Sequence, residues 1–283
     1  MIFPHAQVLA NGLAVGSLYA MAAVGMKLVA DCTGRVHMAG GHLLVLTAMG
    51  TAQLTGGPEP PVIPVMAGLG LAVACMAYVA HPKSFWSRFL ADGGERSFLL
   101  LTLGAALVLE ALAQYAFPLA DTASVRAGTP VCLGGISLTM PKALALITSA
   151  AACVSLWVFL RWCRLGKALR AWESGLGEIR LVGVDPEGLG RWVATLGLGI
   201  MGLSGAFVGA TQVVSAQDGM AWCLKSLCIA IMGRTMRPLN TLLLGWGLGV
   251  GEAWVSQAVG PGWHPVLVSV LLPVLLRFRS RRK

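Results

Sequence analysis

The chain has 283 residues, of which 56% are hydrophobic and only 12% are charged, and its mean hydropathy is +0.74. A soluble domain carries about 25% charged residues, so this composition excludes an ordinary soluble protein and predicts an integral membrane protein. The net charge of +9 does not indicate a nucleic-acid-binding protein, because the basic residues are concentrated in a few short loops and in the tail at 277–283.

Apolar segments follow one another along the chain, and a spanning helix needs about 20 apolar residues, within a range of about 17–25. The segments are 7–30, 38–54, 62–80, 97–117, 138–160, 190–215, 223–233, 238–258 and 264–277. Two of them, 223–233 and 264–277, are too short for a full span, and the first of these has the pattern of a re-entrant or broken helix. We therefore predict an all-α, polytopic membrane protein with about eight transmembrane helices plus one short re-entrant or broken helix, in a single domain over 1–283.

The distribution of positive charge predicts the orientation in the membrane. Of the 21 basic residues, 17 lie in the positions that would share one side, namely Arg35, 81–96, 161–191, 234–237 and the tail. Cytoplasmic loops carry an excess of Lys and Arg, so we predict an N-terminus outside and a C-terminus in the cytoplasm. Met1–Asn11 contains no Lys or Arg, so the first helix is expected to be retained rather than cleaved as a signal peptide.

The sequence lacks the motifs that would support catalysis or a metal site. Its seven cysteines form no CxxC pair and no histidines stand at metal-ligand spacing, so the cysteines are expected to be small buried hydrophobes. No phosphate-binding loop, HExxH or GxSxG motif occurs. We expect no catalytic residues and no bound metal or cofactor, in a protein that moves or anchors something with energy from a partner or a gradient.

Two carboxylates, Glu110 and Glu252, lie inside predicted spans. Ionisable groups at this depth are functional candidates by default, although a pair with another helix is as good an explanation as contact with a substrate. The sequence offers neither carboxylate an evident His, Asp or Arg relay partner, so the two are a weak basis for a proton pathway.

The N-terminal region holds further polar candidates. Gly40–Gly41 disfavours an uninterrupted helix, and a broken helix there would offer free N–H groups to an anion. The two neighbouring histidines are more simply explained by hydrogen bonding at the membrane interface. The candidates for a substrate path are Asn11, Ser17, Tyr19, His37, Gly40, Gly41, His42, Glu110 and Glu252.

A charged stretch at 161–192 interrupts the apolar sequence. It contains apolar residues at i, i+3, i+4 and i+7, namely Leu165, Ala168, Leu169 and Trp172. This spacing predicts one apolar face of a short amphipathic helix, with Lys167 and Arg170 outside that face. Pro186 is expected to stop a second short turn.

Three stretches carry recognisable motifs in order along the chain. They are NGLAVGSLYAMAAVGMKLV near the N-terminus, LGKALRAWESGLGEIRLVGVD in the charged stretch, and LKSLCIAIMGRTMRPLNTLLLGWGLGVGEA near the C-terminus. Together they resemble the H-type membrane-spanning permease subunits of ABC importers for branched-chain amino acids, and the resemblance covers nearly the whole chain. In the third stretch, Lys225, Gly233, Gly245, Gly249 and Glu252 fit the family motif.

The resemblance implies alternating access in the bacterial inner membrane, with the lipid bilayer around several spanning helices and no nucleic-acid partner. A periplasmic binding protein would deliver the solute, a second permease subunit, identical or paralogous, would complete the path, and two cytoplasmic ABC ATPases would use ATP and Mg. The loop at 161–189 would be a coupling helix inserted into a cleft of the ATPase. Its coupling residues would be Leu165, Gly166, Lys167, Leu169, Arg170, Trp172, Arg180, Gly183 and Asp185.

Two stretches, VHMAGGH at Val36–His42 and MGRTMRPLN at 232–240, depart from the family pattern. Urea, short amides or sugars are therefore alternatives to branched-chain amino acids as the solute. A secondary transporter or channel, which would work without an ATPase, and a membrane scaffold without transport are the alternatives from other functional classes.

Overall fold

The computed structural model of the chain describes residues 3–33, 35, 37–55, 95–117, 130–133, 136–163, 166–169, 186–233 and 238–260. The predicted segments 62–80 and 264–277 lie outside the described residues. So do most of the predicted coupling residues, namely Leu165, Arg170, Trp172, Arg180, Gly183 and Asp185.

Within the described ranges, every predicted apolar segment coincides with a helix. The elements are α1 (Phe3–Thr33), α2 (Ala39–Thr55), α3 (Glu95–Ala116), β1 (Pro130–Leu133), β2 (Ile136–Thr139), α4 (Met140–Trp162), α5 (Pro186–Thr211), α6 (Gly219–Met232) and α7 (Pro238–Val259). The prediction of an all-α polytopic membrane protein is confirmed, with one small hairpin added.

Four of these helices contain stretches long and apolar enough to cross a membrane: His5–Asp31, Phe98–Ala116, Met140–Trp162 and Gly188–Thr211. Helix α6 has 14 residues, which at 1.5 Å per residue is about 21 Å, shorter than the roughly 30 Å hydrocarbon core of a bilayer. This length agrees with the predicted short or broken helix.

The hydropathy pattern did not predict the hairpin of β1 and β2. Its strands are antiparallel, with Pro130 opposite Thr139 and Leu133 opposite Ile136. The side chain of Gln7 donates to the Ser137 carbonyl at 2.6 Å and accepts from the Ser137 N–H at 3.0 Å. The hairpin is thereby fixed to the first turns of α1.

Helix α1 lies at the centre of the bundle and contacts α4, α5, α6 and α7. Of its apolar stretch 78% is buried, against 22% for those of α3 and α4, which lie at the periphery. The close approach of α1 to α7 depends on glycines: a Cβ on Gly16 would lie 2.9 Å from the Trp246 Cα, and one on Gly249 would lie 2.5 Å from the Gly16 N. Small residues permit such backbone contact in lipid.

Helix α2 begins at Ala39 and continues through Gly40 and Gly41, so the expectation that these glycines interrupt a helix is wrong. Their role is packing. A Cβ on Gly40 would lie 2.7 Å from the Met201 Cε, and one on Gly41 would lie 2.7 Å from the Cys223 Cβ. The first turn of α2 is thereby pressed against α5 and the first turns of α6.

Candidate functional site

Three polar side chains from three helices meet in the core. The hydroxyl of Tyr19 on α1 donates to the Glu252 Oε2 on α7 at 2.6 Å. The Nζ of Lys225 on α6 contacts the Glu252 Oε1 at 2.6 Å and donates to the Tyr19 hydroxyl oxygen at 2.9 Å. The side chains of Lys225 and Glu252 are only 14% and 4% exposed. We call these three residues the cavity cluster.

Helix packing brings the cavity cluster together. Tyr19 and Glu252 meet because Gly12 and Gly16 let α1 touch the backbone of α7 around Gly249. A buried ion pair is held in place only when good geometry and further hydrogen bonds offset its desolvation. The hydroxyl of Tyr19, which bonds to both charged partners, supplies one such bond.

The cluster forms part of the wall of a cavity of about 570 Å³ between α1, α6, α7 and the segment that follows α5. This volume lies within the range of about 300–1,000 Å³ typical of small-molecule sites. The lining residues are Val8, Asn11, Gly12, Val15, Tyr19, Gln212, Val213, Asp218, Ala221, Trp222, Lys225, Gly249, Glu252, Ala253, Ser256 and Gln257.

Of the predicted substrate-path residues, Asn11, Tyr19 and Glu252 line this cavity. The Asn11 Oδ1 also accepts a hydrogen bond from the Lys142 Nζ at 3.1 Å. Ser17 does not line the cavity, because its hydroxyl is buried and donates to the Ala14 carbonyl of its own helix at 2.6 Å.

Glu110 and His42 form a second polar contact, between α3 and α2. The His42 Nε2 lies 3.6 Å from the Glu110 Oε2, and the side chains are 5% and 25% exposed. The His42 ring also lies against the backbone of Gly219, where a Cβ would come within 2.7 Å of the ring Cγ. Neither residue lines the cavity described above. Each carboxylate therefore meets a basic side chain from another helix, which agrees with the explanation of a pair between helices. The expectation that no His stands beside either carboxylate is wrong for Glu110.

His37 lies between α1 and α2, outside the spanning segments. Its ring packs edge-on against Phe98 of α3, with ring centroids 6.1 Å apart. Burial lowers the pKa of His37 to about 4, so the ring is neutral near pH 7. Together with Gly40 and Gly41, His37 belongs to the packing of α2 and not to the lining of the cavity.

The described parts of the predicted coupling loop at 161–189 are the end of α4, a helical turn at 166–169 and the start of α5. In the turn, Ala168 and Leu169 are buried in a cluster with residues of α4 and α5, whereas Lys167 is exposed. Gly166 touches the end of α4, where a Cβ would lie 2.6 Å from the Leu160 Cα. Ala168 and Leu169, two residues of the predicted apolar face, therefore anchor the turn to the bundle.

Sequence reasoning did not select Lys225 as a site residue and gave it only as a match to the family motif. It also missed the other polar lining residues: Gln212, Asp218, Ser256 and Gln257. A single Lys within the apolar helix α6 was the available signal, because a lone cation in such a segment needs a partner as much as a carboxylate does. Within the described residues, no group of three or more His, Cys, Asp or Glu side chains could hold a metal ion.

Comparisons with known proteins show the family to which the chain belongs. The family model described as "Branched-chain amino acid transport system / permease component" matches residues 8–276. The permease protein BraD of the high-affinity branched-chain amino acid transport system of Pseudomonas aeruginosa is 23% identical over 98% of this chain and 95% of that protein. The corresponding protein LivH of Escherichia coli (strain K12) is 22% identical over 94% of this chain and 91% of its own length.

Among solved structures, PsaBC from Streptococcus pneumoniae in complex with Fab aligns with a TM-score of 0.52 and 13% identity, over 97% of this chain and 95% of that one. At this identity the likeness concerns the fold alone. The family match, in contrast, extends over nearly the full sequence, from the start of α1 to beyond α7. The chain therefore belongs to the family of branched-chain amino acid transport system permease components.

Proposed function

We propose that this permease forms the translocation path of an ATP-driven importer for branched-chain amino acids in the bacterial inner membrane. The observation that carries the proposal is the match of the family to residues 8–276, in a chain whose core contains a cavity lined by one buried ion pair. The similar proteins BraD and LivH are named as high-affinity branched-chain amino acid permeases.

The cavity supports this function through its size and its mixed lining. Small-molecule sites are mostly apolar, with a few placed polar groups that fix the orientation of the ligand. Here Val15 and Trp222 supply apolar surface beside the charged pair. An amino acid with a hydrocarbon side chain matches both kinds of surface, whereas urea or a short amide would leave the apolar part of the wall unused.

We further propose that the partners are a second permease subunit, two cytoplasmic ABC ATPases that use ATP and Mg, and a periplasmic binding protein. The 161–189 loop would transmit motion from the ATPases, with the N-terminus of the chain outside and the C-terminus in the cytoplasm. The anchored turn at 166–169 supports this role, because buried Leu169 ties the loop to α4 and α5 while Lys167 remains exposed. A soluble ATPase can move a membrane helix only through a segment that is firmly attached to that helix.

The function is tested by reconstituting the permease in proteoliposomes with the proposed partners: the two ATPases, the second permease subunit and the binding protein. We expect uptake of radiolabelled leucine only when ATP is present on the side of the membrane where the ATPases lie. Uptake that persists without the ATPases would identify a secondary transporter instead. Uptake of urea or a sugar in place of leucine would identify a different solute.

The coupling loop is tested separately with Lys167→Glu combined with Arg170→Glu. Since Lys167 is exposed, we expect assembly of the folded permease but loss of ATP-driven uptake. Lys167→Arg keeps the charge and is the matched control. Normal uptake by the reversed variant would reject the coupling role of this loop.

A further inference from the structure

The Lys225–Glu252 pair contributes to the cavity wall, so a solute in the cavity meets a positive and a negative group side by side. The two charged atoms are 2.6 Å apart, and the Tyr19 hydroxyl bridges them by accepting from Lys225 and donating to Glu252. The cluster therefore has no net charge but exposes both signs to one small space.

We propose that the cavity cluster recognises the α-amino and α-carboxylate groups of the solute by exchanging partners with them. In this arrangement Lys225 and Tyr19 donate to the carboxylate, and Glu252 accepts from the ammonium group. The solute is thus selected as a zwitterionic α-amino acid with an apolar side chain, an inference that rests on the proposed function.

Charge balance is the physical reason for this selectivity. An unpaired charge in a buried site is strongly unfavourable, whereas a charge that finds a hydrogen-bonded partner is tolerated. When a zwitterion separates Lys225 from Glu252, each protein charge receives an opposite charge from the solute. An amine without a carboxylate would take Glu252 from Lys225 and give Lys225 nothing in exchange, and a carboxylic acid without an amine would take Lys225 from Glu252 in the same way.

The cavity also offers unused donors. The Lys225 ammonium group has three N–H donors, and among the described residues it bonds to Tyr19 and Glu252. The Nε2 of Gln212, which lines the same cavity, is buried without a hydrogen-bond partner among the described residues. A bound carboxylate would supply acceptors for both groups.

Apolar residues of the cavity would contact the hydrocarbon part of the solute. Trp222 is buried and packs on the Tyr19 ring, with centroids 5.0 Å apart and planes tilted by 58°. Val8, Val15 and Val213 line the same cavity. A branched aliphatic side chain would bury apolar surface here, while its charged end reaches the cavity cluster.

The test measures binding of tritiated leucine to the purified permease–ATPase complex without the binding protein, which has its own selectivity. Unlabelled leucine should displace the tracer, whereas 3-methylbutylamine, which lacks the carboxylate, and 4-methylpentanoate, which lacks the ammonium group, should be weaker competitors by about tenfold or more. Equal competition by either analogue would overturn the proposal.

A neutral variant of the cluster supplies the second measurement. Lys225→Gln with Glu252→Gln removes both charges, so no unpaired charge remains and the fold is expected to be retained. Leucine binding should fall by about tenfold or more. The matched control, Lys27→Gln with Asp31→Asn, neutralises a different ion pair on α1, whose atoms are 2.9 Å apart, and should bind leucine as the wild type does.

The outcomes separate this inference from the proposed function. If the wild-type transporter takes up leucine and the neutral variant binds and transports it equally well, the function stands and the recognition by the cluster is wrong. If wild-type uptake occurs but the complex binds no leucine, the recognition is also wrong. If the complex discriminates zwitterions but ATP drives no uptake, the recognition stands and the importer function is wrong.

Discussion

The cavity cluster and the His42–Glu110 contact are both meetings of a carboxylate with a basic side chain inside the same bundle, but their surroundings differ. In the cluster the charged atoms are 2.6 Å apart, a tyrosine bridges them, and Glu252 is 4% exposed. In the other pair the atoms are 3.6 Å apart, and Glu110 is 25% exposed on the peripheral helix α3. One pair joins three helices around a cavity, and the other joins two helices outside it.

The position of a carboxylate within an apolar segment therefore does not determine its role. Glu110 and Glu252 lie at similar places in apolar helices, and a charge in either is costly in a bilayer. What separates them is the space beside each one. A buried pair next to a cavity can exchange its partners for those of a ligand, whereas a pair between helix surfaces serves their packing.

The largest effect that would sharpen this contrast is expected from Lys225→Met. The variant leaves the 4% exposed Glu252 without its cationic partner, which should lower the free energy of unfolding by about 3–5 kcal/mol. Glu110→Gln keeps a polar group at a looser contact, 3.6 Å from His42, and should lower the free energy of unfolding by less. Thermal unfolding of the purified variants in detergent checks both, and equal losses would remove the distinction between the two pairs.

Much of this fold could be predicted from the sequence, because long apolar segments identify the helices of a membrane protein. Segments 38–54 and 238–258 match α2 and α7 to within one residue at each end. The hairpin at 130–139 could not be predicted in this way, since it is short and its attachment to Gln7 is a contact 130 residues away.

The site was predictable only in part. Tyr19, Asn11 and Glu252 could be selected because they are polar residues in apolar helices. Their convergence with Lys225 depends on glycine contacts between helices distant in sequence, which a single sequence does not reveal. Close packing also explains the wrong expectation for Gly40–Gly41. These two glycines do not break α2 but allow it to contact neighbouring helices.

A second, smaller effect is expected from Tyr19→Phe. The change removes a hydroxyl that bonds to both charged members of the cluster, and hydrogen bonds to charged groups contribute about 1.5–3 kcal/mol each. Leucine uptake should fall while the helix content by circular dichroism is unchanged. Tyr115→Phe on α3, where Tyr115 is 90% exposed, is the matched control and should leave uptake and stability as they are.

A third prediction concerns the contact that holds the cluster together, and it compares two faces of α7. A Cβ on Gly249 would lie 2.5 Å from the Gly16 N, whereas one on Gly247 would meet no described atom within 4 Å. Gly249→Ala should therefore cost about 1–3 kcal/mol through overpacking and weaken leucine binding by displacing Glu252. Gly247→Ala should be neutral or stabilising by up to about 1 kcal/mol, because Ala favours helix. Similar unfolding temperatures for the two variants would contradict the packing argument.

The smallest effect is expected from a change of pH, which tests the stability of the region around α2 and α3. His37, which packs on Phe98 outside the spans, has its pKa lowered from 6.5 to about 4 by burial. Above pH 6.5 the ring is neutral in both states and its full contribution to stability is present. As the pH falls from 6.5 towards 4, the unfolded chain binds a proton that the folded chain does not, so stability is lost.

His37→Gln removes this linkage. Between pH 7 and pH 4.5 the unfolding temperature of the variant should therefore fall less steeply than that of the wild type. His42 and the carboxylates are present in both proteins, so the difference between the two curves belongs to His37. Leucine binding at pH 7 should be the same for both, because His37 does not line the cavity. If the unfolding temperatures of the two proteins fall in parallel, His37 takes up its proton equally in the folded and the unfolded chain. If leucine binding changes, the α2–α3 region is not separate from the cavity cluster.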